Sequence, residues 1–117
     1  MNNELLSYWV KVLRLTDWTI KLIDNCSPDD LSTPRARGEC EWEEVCRVAV
    51  IRIIDEKYYG EQIVPFDYEK TLVHELMHIK FHLLDENENE LQNRVVHQLV
   101  EDMAVALVQA KRTTQLN

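Results

Sequence analysis

Cysteine is scarce in this chain and poorly placed for cross-linking. Cys26, Cys40 and Cys46 are an odd number with no Cys-x-x-Cys spacing, which excludes both a disulfide framework and a cysteine-based zinc site. They are expected to be reduced, buried thiols of a cytoplasmic protein. Long apolar runs are missing as well. No stretch approaches the roughly 18 apolar residues of a membrane span, and no apolar run follows a basic segment near the amino terminus, so the chain is read as soluble and cytoplasmic with no membrane partner. Basic charge is in deficit, with 13 basic against 21 acidic residues and a net charge of -8. That balance argues against a phosphate-binding surface and so against a nucleic-acid partner. Repeats and low-complexity tracts are absent, and 117 residues leave no room for a separate substrate domain, so 1–117 is read as a single domain.

The composition that is present, 45% hydrophobic and 29% charged, belongs to a globular chain. Leu5, Leu6, Trp9, Val12 and Leu13 recur at helical spacing over residues 3–15, predicting an amphipathic first helix. The period then drops to two from Trp18 to Asp24, predicting a strand. Residues 25–35 hold two prolines and several turn formers and read as the one long loop. A second strand is predicted where Ala36, Gly38, Cys40 and Trp42 alternate with Arg37, Glu39, Glu41 and Glu43. Residues 46–54 are β-branched and almost continuously apolar, predicting a third strand paired to the second through a turn near Glu44. Asp67 then caps a helix whose Leu72, Leu76, Ile79 and Leu83 form a core stripe. Asp85 to Glu90 read as a polar turn. A last helix is expected from about Glu88 to Ala110, with Leu91, Val95, Leu99, Met103 and Leu107 as its apolar face. Trp9, Trp18 and Trp42 are expected in the core.

The chemistry concentrates at His74-Glu75-Leu76-Met77-His78. Helix positions four apart lie one above the other, so both imidazoles can reach one point beside the axis. Glu75 flanks that point and can take a proton from a water activated by an ion held there. A zinc site needs a third protein donor, and Glu101, His97 and His82 are the candidates. His82 is rotated roughly 80° from His74 and carried about 12 Å along the axis, so it cannot converge on the same ion. Ala104 and Val105, one turn past Glu101, would let that helix pack closely, which favours Glu101 as ligand and leaves His97, on the same face, to polarise substrate. His97, Arg94, Tyr58 and Tyr59 are the candidates for stabilising an oxyanion.

The pair His74-Glu75-x-x-His78 with Glu101-Asp102-Met103-Ala104 resembles the gluzincin metallopeptidases, in particular their smallest members and the ImmA/IrrE-type domains, which join an HExxH helix to a glutamate helix of ExxA or ExxxD form. The order helix, three strands, HExxH helix and glutamate helix is similar to that minimal core over most of the chain. What the resemblance implies is an α+β, zincin-like fold, with Zn2+ on His74, His78 and Glu101 and with Glu75 as general base. It also implies a peptide or protein substrate lying along a strand edge, which would belong to residues 46–54, and regulation by, or action on, a single dedicated protein partner. Val105 stands where the ExxxD form has its aspartate, which leaves Asp102 as the candidate support for His74. The alternative is a catalytically silent zincin-fold binding module with a structural metal. Residues 111–117, roughly 23 Å when extended, are long enough to fold back into the cleft and hold it latent.

Overall fold

The first helix, α1 (Asn2–Val12), stops where Arg14 turns to a φ of 57° and the Leu15 amide donates back to the Val10 carbonyl at 2.8 Å. That wide closing bond satisfies a carbonyl the helix would otherwise leave open, and it drives Leu15 into the core. Trp9 is the buried anchor of α1, whereas Val12 faces outward. The computed structural model describes residues 2–33, 35–84 and 89–116. The expected turn at Asp85 to Glu90 falls mostly outside them.

Three strands follow, β1 (Thr19–Cys26), β2 (Gly38–Glu43) and β3 (Val48–Ile54), in the order β1-β3-β2. β1 runs parallel to β3, and β2 runs antiparallel to it. Residues 46–54 were expected to supply an exposed edge, but β3 is the central strand and has no free edge. The free edge on the functional side belongs to β2. Cys46 and Arg47 are part of the hairpin turn, not of the strand. Glu43 accepts hydrogen bonds from the Val45 and Cys46 amides at 3.2 and 2.6 Å, and Arg47 takes a φ of 56°. The expectation of buried thiols therefore holds for Cys26 alone. Cys40 is half-buried and Cys46, carried on the turn, is exposed. On β3 the side chains of Ala49, Ile51 and Ile53 are buried in the core, and Arg52, on the other face, pairs with Glu39 and Glu41 of β2.

A short helix, α2 (Glu56–Tyr59), capped by Asp55, leads to the motif helix α3 (Tyr68–Lys80). Asp67 caps α3 as its sequence position predicts, accepting from the Lys70 amide at 3.1 Å. α3 ends before Leu83, which is exposed in the following turn, so the core stripe stops at Ile79. Among the described residues α3 is buried along most of its length, including Thr71, Glu75 and His78. Trp9 is in the core, and Trp18 and Trp42 are half-buried against it.

The last helix, α4 (Glu90–Leu116), packs on α3 through a different face from the one its leucines suggest. Val96, Val100, Ala104 and Val108 are buried, whereas Leu91, Val95 and Leu99 are 69%, 58% and 42% exposed, and of the expected stripe Met103 and Leu107 pack half-buried against the core. Both sets step by four, so periodicity marks two neighbouring stripes. The smaller side chains win because they allow a close helix approach. α4 also continues past Ala110. Arg112 pairs with Asp67 at 2.8 Å and Lys111 pairs with Glu69, so the tail begins as a continuation of α4 to Leu116 whose first two residues clasp the start of α3, and Asn117 lies outside the described residues. Among the described residues no helix is long and apolar enough to cross a membrane.

Candidate metal centre

Leu72, Leu76 and Ile79 have no exposed surface, so core packing sets the rotation of α3 and with it the direction of the two motif histidines. Nε2 of His74 and Nε2 of His78 stand 3.2 Å apart. Two nitrogens bonded to one tetrahedral ion at about 2.05 Å would be roughly 3.3 Å apart. The pair has the spacing of two ligands.

The other ring nitrogen of His74, Nδ1, meets Oε1 of Glu101 at 3.0 Å. A carboxylate only accepts, so Nδ1 carries the proton and a neutral His74 presents its lone pair at Nε2. Burial pushes the His74 pKa below the ordinary imidazole value. The Glu101 hydrogen bond opposes that shift, while His78 and Arg37 add to it. Burial of Glu101 by itself would raise its pKa, but the bond to His74 and the cations of Lys70 and Arg37 outweigh it and hold the carboxyl below its ordinary value. Lys70 Nζ and Arg37 Nη2 lie 3.8 and 3.7 Å from Oε2. Glu101 thus supplies the support for His74 that was assigned to Asp102. Asp102 is exposed and accepts instead from Gln98 at 3.0 Å.

Two cavities meet at the motif. The larger, about 510 Å³, has Gly38, Cys40 and Trp42 of β2 on one wall and His74, Glu75, His78 and His97 on the other. The smaller, about 240 Å³, holds Arg37, Lys70 and Glu101, again with His74 and Glu75. His74 and Glu75 form the partition between them. Glu75 is only 7% exposed yet lines both, so it combines a largely dry setting with access to a ligand. Gly38 brings β2 against this partition. A Cβ there would lie 3.0 Å from the Arg52 carbonyl oxygen, 3.1 Å from Thr71 Cγ2 and 3.4 Å from Glu75 Cγ. Only glycine fits this approach without displacing a neighbour.

The donor chemistry fits a divalent ion such as zinc. Among the described residues no group of three or more His, Cys, Asp or Glu side chains is already at ion-holding spacing. Of the residues singled out in the sequence, the fold brings together His74, Glu75, His78, His97 and Glu101. Tyr58 and Tyr59 line a separate cavity of about 600 Å³ with Leu31 and Arg35, and Arg94 lines neither motif cavity. His97 is thus the one oxyanion candidate at the groove. His82 stacks edge-on against Trp18, with ring centres 5.4 Å apart, and its Nδ1 lies 2.8 Å from the Ile79 carbonyl oxygen, away from the pair as its helical angle requires. Sequence reasoning missed Arg37, Lys70 and Gly38. The glycine in an otherwise alternating strand was the one signal available for a close backbone approach. Comparison with family models, curated proteins and solved structures finds no match for this chain.

Proposed function

We propose that this chain is a zinc-dependent peptidase of zincin type, in which His74 and His78 hold the ion and the face of α4 bearing His97 and Glu101 completes its surroundings. The observation that carries the reading is the 3.2 Å approach of the two Nε2 atoms beside Glu75, at a groove walled by an edge strand. Zinc bound there supplies Lewis-acid activation of a water and of the scissile carbonyl. Glu75 removes the proton from the attacking water and delivers it to the leaving amine. β2 is an edge strand of the sheet, against which an extended peptide would align across the groove as an added strand. A peptide or protein is therefore the substrate class, and the open groove suits a segment of one dedicated protein partner.

The test is cleavage of a peptide library by zinc-loaded protein. Wild type should cut, and Glu75→Gln should lose about 10² to 10⁴ in rate while retaining stoichiometric zinc. Equal cleavage by both proteins would remove Glu75 from the chemistry. The alternative is a catalytically silent binding module on the same fold with a structural metal. That reading predicts saturable peptide binding by wild type with no cleavage.

A further inference from the structure

We propose that His97, not Glu101, is the third protein ligand of the ion, and that Glu101 holds His74 from behind through Nδ1. The inference rests on the metal reading above and concerns only how the two α4 residues divide the work.

Glu101 is already committed. One oxygen lies 3.0 Å from His74 Nδ1, and the other lies within 4 Å of both Arg37 and Lys70. To reach the Nε2 side of His74 it would have to release all three partners. A carboxylate on the far nitrogen of a ligating imidazole is a common means of fixing its tautomer and ring plane. His97 lies one helical turn before Glu101 and lines the same groove as His74 and His78. Its ring centre is 5.0 Å from that of His78, and the His74 ring is also 5.0 Å from His78. Imidazoles sharing one tetrahedral ion have ring centres roughly 5 Å apart. His97 is exposed at the groove, so turning its side chain toward the pair costs little beyond rotamer entropy. An all-imidazole set also leaves the ion's full positive charge uncancelled by a ligand carboxylate, which makes it the stronger Lewis acid.

X-ray absorption at the zinc edge of the loaded full chain counts imidazoles directly, and competition with a chelator gives affinity. The expected count is three in wild type, two in His97→Ala and three in Glu101→Gln. The zinc dissociation constant should rise more than about 100-fold in the first variant and roughly 10 to 100-fold in the second. Two imidazoles and a carboxylate in wild type, unchanged in His97→Ala, would overturn the assignment while leaving the peptidase reading standing. A wild-type chain that is folded by circular dichroism yet takes up no zinc would overturn both.

Discussion

Nδ1 of His74 and Oε1 of Glu101 meet at 3.0 Å across 27 positions of sequence, so the orientation of a motif side chain is settled by a residue on another helix. The contact decides which His74 nitrogen faces the groove. It also ties α3 to α4 at the site, while Val96, Val100 and Ala104 tie the two helices through the core.

Removing the Glu101 charge should lower the His74 pKa still further. The carboxylate favours the protonated ring and opposes burial, which has already moved the value down. Imidazole proton shifts followed by NMR in metal-free Glu101→Gln should show the His74 midpoint below that of wild type. No movement, or movement upward, would mean that the contact does not form in solution.

Gly38→Ala should destabilise the fold by about 1 to 3 kcal/mol, the usual cost of overpacking. The added methyl meets Arg52 backbone and Thr71 before it meets anything that can easily move. Urea denaturation measures the change. The same variant should weaken peptide binding in the groove, because β2 must back away from Glu75. Wild-type stability in Gly38→Ala would show that the strand does not sit so close.

Asp67 joins both ends of the α3–α4 clasp, capping α3 and pairing with Arg112. The Arg112 hydrogen bond holds its carboxyl below the ordinary value of 3.8, against burial. A depressed folded-state pKa means the stabilisation is complete above the unfolded value and is lost as the pH falls through the folded one. Arg112→Gln should therefore cost at most about 1 kcal/mol at pH 7, since the pair is partly exposed. The difference from wild type should vanish in acid, below that range. Asp67→Ala should cost about 1 to 2 kcal/mol at pH 7 because the cap is lost as well. Chemical denaturation at several pH values reads all three proteins, and a gap between wild type and Arg112→Gln that widens in acid would contradict this account.

Neighbouring residues on α4 should differ sharply. Val100 is fully buried and Leu99 is 42% exposed, so Val100→Ala should cost about 1 to 3 kcal/mol and Leu99→Ala no more than roughly 0.5. Thermal unfolding of the two variants decides between the stripes, and the reverse order would mean that the leucines face the core.

The local features were legible in the chain itself. Residues four apart on a helix must share a face, so the pairing of His74 with His78, the flanking position of Glu75 and the divergence of His82 all follow from spacing alone. Asp67 as a cap and the alternation in residues 38–43 are equally short-range, because each depends on hydrogen bonds or side-chain directions within a few residues. Only the tertiary structure decided the rest. Strand order made β3 central and left the edge to β2, which no single strand's composition reveals. On α4 two stripes had the same period, and packing chose the one with the smaller side chains. The partners of Glu101 come from α3 and from the segment leading into β2. Contacts between residues far apart in sequence depend on how whole elements pack, and that packing minimises internal voids and buried unpaired charge over the entire fold.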